Sequence, residues 1–318
     1  MKGIYFDGKR AEYRKNLPMP KRSDTESLIR ILYAGVCSTD REILKGYRPD
    51  FYGIMGHEFV GIVEESPDLE LIGKMVVGEL NAGCGHCIYC QTGREKHCEN
   101  RRVIGMDGKD GCFAEYMTLE THLLHRVPSC LGAKEALLTE PLAAALEILS
   151  QVHIRPDVPV GIIGDGRLAY LIAGVLQLSG VRLTIFGKHE KKLEEFEVFG
   201  QTRLAEEIAG LKKSPYETFE LVVEASGSPS GLEMASVLVR RQGMILLKST
   251  YAGRAQVDMS QFVVNEITIK GSRCGPFEPA LRLLEKGLVK LPPAEFYSME
   301  EWEKAFASKA FKAGFVVE

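Results

Sequence analysis

The chain has 318 residues, 45% hydrophobic and 26% charged, with 40 lysines and arginines against 43 aspartates and glutamates and a net charge of −3. With no block of like charge, this balance excludes nucleic acid as an expected partner and a membrane surface as an expected support, and no stretch approaches the about eighteen apolar residues needed to span a bilayer. The length is more than one core commonly fills, so two domains are expected; the segment "MKGIYFDGKRAEYRK" has no apolar signal core, which predicts a cytoplasmic protein with reduced thiols.

In chain order, the short apolar runs "SLIRILYAGV", "FVGIVEES", "KMVVGEL", "CFAEYMTL" and "LLHRVP" are punctuated by glycine. That rhythm predicts an antiparallel, barrel-like β domain. From about residue 159 the pattern becomes compact apolar strands separated by helical stretches: "VGIIG", "LTIFG", "LVVEAS", "MILLKS" and "ITIKG". Such alternation predicts an α/β domain with a doubly wound parallel sheet built from βαβ units. A helical pattern, "EPALRLLEKG", then leads through "SMEEWEKAFASKAF" to a last apolar stretch, "AGFVVE". The final forty residues are too few for a third domain. The expected division is therefore a β domain at 1–145, completed by 277–318, and a dinucleotide-binding domain at 146–276.

Four of the eight cysteines, Cys84, Cys87, Cys90 and Cys98, have the spacing C-x2-C-x2-C-x7-C in "GCGHCIYCQTGREKHC". Two-residue gaps let successive sulfurs converge, and four thiolates close the shell of a tetrahedral zinc, so this metal would be structural. A bacterial ferredoxin run places its fourth cysteine after three residues and before proline, whereas Cys98 comes after seven and precedes Glu99. His86 and His97 are alternative ligands in the same lobe. A second group is scattered: Cys37 and Thr39 in "GVCSTDREILKG", His57 and Glu58 in "GHEFVGIV", and Glu140 in "TEPLAAALE". Singly, each has an ordinary structural reading: a buried small hydrophobe, a packed histidine, an acid at a helix start. Taken together they matter more than singly, as candidate ligands of an open metal site.

"VGIIGDGRLAYLIAGVLQLSG" carries Gly164, Gly166 and Ala169 in G-x-G-x-x-A spacing between a strand and a helix. This predicts a phosphate-binding turn, with Arg167 and Leu168 opening the helix over the cofactor. About twenty residues on, where an acid would accept from the adenosine ribose, stands Gly187, followed by Lys188, His189 and Lys192. A glycine with cations beyond it leaves room for a 2′-phosphate, so NADP is favoured over NAD. Ser226, Ser249 and Arg273 follow later strands and are expected to line the cofactor pocket, as are Lys248, Thr250 and Cys274.

With "GVCSTD", "GHEFVGIV", the cysteine lobe, "GCFAEY", "EPLAAALE", "GIIGDGRLA", "VVEASGSPSGLE" and "ITIKGSRCG" in this order, the chain resembles the zinc-dependent medium-chain dehydrogenase/reductase superfamily of alcohol, polyol, threonine and glucose dehydrogenases. The resemblance implies a Rossmann sheet plus a GroES-like catalytic domain. Cys37 and His57 would bind a catalytic zinc, and Glu140 would take the third-ligand position. Glu58 would be a carboxylate close behind or a ligand exchanging with water, and Thr39 would relay the alcohol's proton. Glu42 stands where family members often carry a histidine. It also implies an NAD(P)-dependent alcohol dehydrogenase with one catalytic and one structural zinc, acting on a small alcohol or carbonyl substrate as a homodimer or homotetramer. The wording "STDREILKG" tilts the substrate toward a polyol or sugar. Two rivals are a zinc-free quinone or enoyl reductase of the same superfamily and a non-catalytic zinc- and nucleotide-binding sensor.

Overall fold

The structure, a computed structural model, describes residues 1–216, 218–251 and 253–317. The chain divides into two compact units, Met1–Glu140 with Phe277–Glu318, and Pro141–Pro276. The division falls ahead of the expected boundary at 145. The residues after Pro141 are fastened within the second unit: Lys248 Nζ donates to the Ala144 carbonyl at 2.6 Å, and Gly275 lies so close to the Ala143 carbonyl that no side chain fits between them.

The first unit is built on the strand Glu26–Val36, whose alternation buries Ile29, Ile31 and Ala34. It pairs antiparallel with Glu58–Glu65, Tyr116–Glu120 and Lys312–Val316. Met75–Gly78 and Leu124–Arg126 extend the sheet beyond Glu58–Glu65, and Ala294–Ser298 joins Lys312–Val316 in parallel. The register sets Gly35 opposite Glu58 on one side and opposite Gly314 on the other. Glu58 and Lys312, 254 apart in sequence, are thereby brought together. Phe113 and Phe315 meet edge to face at 5.0 Å in the core of this unit. Gly56, at φ +92°, takes a turn that an L side chain resists, and a Cβ there would strike the Phe113 ring. This fixes the chain's approach to His57 and Glu58.

The second unit holds a six-stranded parallel sheet in the order Gln201–Leu204, Arg182–Gly187, Pro159–Ile163, Phe219–Glu224, Val239–Leu247, Thr268–Gly271. Numbered along the chain this is 3-2-1-4-5-6, the doubly wound order with its switch point between Pro159–Ile163 and Phe219–Glu224. Val160, Ile162, Ile185, Val222, Val223 and Ile245 are fully buried, as expected of strands covered on both faces. Helix Arg167–Gln177 buries every residue from Ala169 to Leu176. Sequence reading finds five of the six strands. Gln201–Leu204 escapes it because "QTRL" is a short, half-exposed edge strand with no apolar run. No helix among the described residues is long and apolar enough to cross a membrane.

Candidate functional site

Cys84, Cys87, Cys90 and Cys98 bring their sulfurs within 4.8 Å of one another. Cys87 caps the one-turn helix Ile88–Gln91, which carries Cys90 back over it with 3.6 Å between the two sulfurs. The Cys84 N–H donates to the Cys98 sulfur at 3.3 Å, and Cys98 is fully buried. None of the four is in a disulfide. Four sulfurs on a tetrahedral zinc at ~2.3 Å stand about 3.8 Å apart, so the quartet fits that ion. Hydrogen bonding from the His86 N–H lowers the Cys84 thiol to about 6, whereas burial pushes Cys90 up to about 12. His86 is not in the group; its Nδ1 bonds to the Cys84 carbonyl at 2.8 Å. His97 is also outside it and packs its ring on Tyr89.

Cys37, His57 and Glu58 form a second group with ligand atoms within 4.8 Å of one another. Cys37 caps the helix Ser38–Leu44. His57 and Glu58 end the turn that Gly56 shapes and begin the strand Glu58–Glu65. His57 and Glu58 are 3% and 0% exposed, which is dear for ionisable groups unless other charges answer them. Asp40, missed by sequence reading and wholly buried, is one answer. Its Oδ2 accepts from the Cys37 N–H at 2.7 Å and its Oδ1 lies 3.3 Å from His57 Nδ1. Burial alone would lower the His57 pKa, but Asp40 outweighs it and raises it well above the usual value. With Nδ1 turned to a carboxylate, Nε2 is the nitrogen left for a metal. The other answer is Lys312, fully buried, whose ammonium pairs with the Glu58 carboxylate. Burial pulls the Lys312 pKa down to about 7 against the attraction of Cys37 and Asp40. Thr39 Oγ1 lies 3.8 Å from the Cys37 sulfur. Glu42 accepts from Lys45 Nζ at 2.8 Å. Glu140, half-buried in the first turn of the helix Thr139–Gln151, is not in the group. A sulfur, an imidazole nitrogen and a carboxylate oxygen this close fit a zinc with three protein ligands.

In the second unit, Gly164 closes the first strand at φ +129°, its N–H on the Phe186 carbonyl at 2.8 Å. Gly166 caps the helix that Arg167 and Leu168 open, and a Cβ on it would meet no atom within 4 Å. The space over this helix start is thus open to a phosphate approaching its backbone N–H groups. Ser226 and Ser249 are tied together by a residue that sequence reading missed. Glu224 Oε1, at the buried end of its strand, accepts from Ser226 N at 2.8 Å, Ser226 Oγ at 2.6 Å and Ser249 Oγ at 3.1 Å. Lys248, expected in the pocket, points its ammonium at Ala144 and Ser272 instead. Arg273 and Thr250 are exposed, and Cys274 holds a left-handed φ of +47°.

The end of the second strand differs from the sequence expectation. Gly187 has no side chain, but the strand end does not lack a carboxylate: Asp165, from the glycine turn, accepts at Oδ2 from Lys188 N and His189 N, both at 2.7 Å, and from His189 Nδ1 at 2.9 Å. Lys192 lies half-buried in the short helix Glu190–Leu193. A cavity of about 830 Å³ opens beside Gly187 and Lys188 and reaches Leu204, Met234 and Gln261, within the size range of small-ligand pockets.

Residues 23–129 match the alcohol dehydrogenase GroES-like domain. A sorbitol dehydrogenase of Halalkalibacterium halodurans is 28% identical over 317 residues, covering 93% of this chain and 91% of that protein. The fold matches an alcohol dehydrogenase from a Thermus species at a TM-score of 0.86 and 24% identity, covering 100% of both chains. It matches an acetophenone reductase from Geotrichum candidum, solved with NAD, at 0.88 and 23%, covering 99% of this chain and 96% of that one. A GroES-like unit in which a half-buried cysteine meets a buried histidine and glutamate, together with a doubly wound unit, defines an oxidoreductase of the alcohol dehydrogenase class. These likenesses support the medium-chain dehydrogenase/reductase superfamily as the family of this chain.

Proposed function

We propose that the chain is a zinc-dependent, NAD(P)-linked dehydrogenase of a polyol, sugar or amino alcohol, with its catalytic zinc held by Cys37, His57 and Glu58 and a structural zinc by Cys84, Cys87, Cys90 and Cys98. The observation that carries this reading is the convergence of a half-buried thiol with a buried imidazole and a buried carboxylate, within 4.8 Å of one another, in the first unit. When bound, zinc supplies the Lewis acidity that brings an alcohol's pKa toward neutrality, and the nicotinamide supplies the two-electron acceptor. The chain's own residues do the rest. Asp40 orients His57 and fixes its tautomer. Lys312 holds the Glu58 carboxylate in place. The Thr39 hydroxyl, next to the metal-facing sulfur, takes the alcohol's proton and passes it toward solvent. A donor set containing oxygen is harder than one of two thiolates and a histidine, which suits a hydroxyl-rich substrate. Gly164, Gly166, Arg167 and Leu168 receive the pyrophosphate of the cofactor, and Ser226 and Ser249, fixed by Glu224, face its nicotinamide half. Sorbitol is an activity of a relative and stands first in the substrate panel.

The test is metal content with activity. Zinc measured on fully active protein should give about two ions per chain. Cys37→Ser should abolish turnover while leaving the thermal transition in place, whereas Cys90→Ser should chiefly destabilise the lobe. One zinc per chain in active protein would favour a zinc-free reductase.

We also propose a homo-oligomer, with the Thr268–Gly271 edge of the parallel sheet covered by a second copy. Among the described residues this strand pairs on one side only, and Val263, Val264 and Ile269 around it are 76%, 79% and 38% exposed. An unprotected edge with an apolar surround is the kind of surface that self-association covers.

A further inference from the structure

In a doubly wound unit, the carboxylate that receives the adenosine ribose ordinarily comes from the end of the second strand. Here that strand ends in Gly187. Its place is filled from the turn between the first strand and the first helix: a Cβ built on Gly187 would lie 2.7 Å from Asp165 Cβ and 3.0 Å from Asp165 Oδ2. The two positions are therefore complementary. The glycine leaves a gap at the strand end, and the aspartate between the two turn glycines occupies it.

The carboxylate is held there by three donors. The backbone N–H groups of Lys188 and His189 and the His189 ring all bond to Oδ2, at 2.7, 2.7 and 2.9 Å. The Asp165 side chain is only 13% exposed. Among the described residues, Oδ1 accepts no hydrogen bond. Such a group is an oriented acceptor for two vicinal hydroxyls, and it is a fixed negative charge against an additional phosphate. The adjoining cavity has the same character. Its charged lining is the carboxylates of Glu206, Glu233 and Asp258 against the ammoniums of Lys188 and Lys212, so acids outnumber bases even before Asp165 is added.

We infer that Asp165 sets the cofactor choice of this enzyme: it receives the adenosine ribose hydroxyls and repels a 2′-phosphate, so NAD(H) is taken in preference to NADP(H). This reverses the preference argued from Gly187, Lys188, His189 and Lys192. Gly187 by itself leaves the strand end without an acid. In the structure the first two N–H groups after the strand, and the His189 ring, are already committed to one. A carboxylate facing a ribose hydroxyl accepts a charge-assisted hydrogen bond, whereas facing a phosphate monoester of charge about −1.5 to −2 it meets like charge.

The inference rests on the reading of the second unit as a nicotinamide-cofactor site, and binding measurements separate the two. Dissociation constants of NADH and NADPH are to be measured by the fluorescence of the reduced nicotinamide on the full zinc-loaded chain, with 5′-AMP and 2′,5′-ADP as competitors. The wild type should bind NADH at least about tenfold more tightly than NADPH, a difference of about 1.4 kcal/mol. Asp165→Asn keeps the size of the side chain and an acceptor for the Lys188 and His189 N–H groups but removes the charge; it should narrow the ratio about tenfold, chiefly by improving NADPH. Asp165→Ser, which also vacates the gap beside Gly187, should equalise or reverse it. Melting curves identify any variant that has lost its fold, and the wild-type ratio stands without them. A wild type that binds NADPH as tightly as NADH, or a ratio unmoved in both folded variants, overturns the role of Asp165 and leaves the cofactor site standing. Binding of neither dinucleotide overturns the site itself and this inference with it.

Discussion

Gly35 is the smallest residue in the first unit's central strand, and two charges explain why. A Cβ there would lie 2.6 Å from Glu58 Oε2 and closer still to Lys312 Nζ, so an alanine would occupy the ground on which the ion pair stands. Glu58 thus faces the Cys37 and His57 donors on one side and an ammonium on the other, whereas Glu140 lies outside that group. The two carboxylates can be told apart by measurement. Glu58→Gln should lower zinc from about two to about one per chain, and kcat/KM by more than the about 10–100-fold characteristic of groups that merely orient a ligand. Glu140→Gln should keep both ions. Equal zinc in the two variants would count against Glu58 as a ligand. At this scale, what sequence reveals depends on spacing. Cys84, Cys87, Cys90 and Cys98 announce themselves because their separation is local, and Cys37, His57 and Glu58 because each sits in a short recognisable phrase. Asp40, Lys312, Glu224 and Asp165 do not. Each acts on a partner through a fold that must exist first: "FKAGFVVE" gives no sign that its lysine is buried, and an aspartate between two glycines has the look of turn chemistry.

Among the elements, the pairing of Glu26–Val36 with Tyr116–Glu120 contains a problem and its solution. The register places Glu120 directly opposite Glu26, and like charges across an antiparallel pair repel. Lys109, from the two-residue strand Gly108–Lys109, inserts between them: its ammonium pairs with Glu26 and lies 3.3 Å from Glu120 Oε2, with side-chain exposures of 6%, 9% and 9%. Burial alone would raise the Glu26 carboxyl, but hydrogen bonds from Lys109 and Ser23 outweigh it and hold its pKa below the usual 4.5. A carboxyl held low in the folded state contributes stability that is complete above its unfolded value and is lost as pH falls through the folded one. Lys109→Met should therefore destabilise by about 3–5 kcal/mol at neutral pH, with a deficit that shrinks on acidification toward pH 4 as protonation of Glu26 relieves the repulsion. Urea titrations of both proteins between pH 4 and 8 read this directly; a constant difference across that range would show that the charge triad is not the cause. The strands involved were legible from alternation, but the polar edge strand Gln201–Leu204 and the two-residue pairings were not, because elements so short carry no period.

For the whole molecule, the change of rhythm near residue 159 separates an antiparallel unit from a parallel one, and that much follows from the order of apolar runs. Which strands neighbour which does not, since Lys312–Val316 meets Glu26–Val36 across almost the full length of the chain. The exposed edge at Thr268–Gly271 gives the prediction proper to this scale. Light scattering behind size exclusion should report at least a dimer, and the double substitution Val263→Lys with Val264→Lys should reduce it to one chain without changing far-UV circular dichroism. A monomeric wild type at micromolar concentration would reject the proposed interface. One more consequence comes from the ammonium of Lys312. Because it already answers the charge of Glu58, the antiparallel unit can collapse around that carboxylate without waiting for a divalent ion, whereas the short helices of the cysteine lobe, Ile88–Gln91 and Glu95–His97, bury no residue of their own. On the reading proposed above, the pocket of Cys37, His57 and Glu58 would therefore be shaped by the polypeptide first and take its ion afterwards.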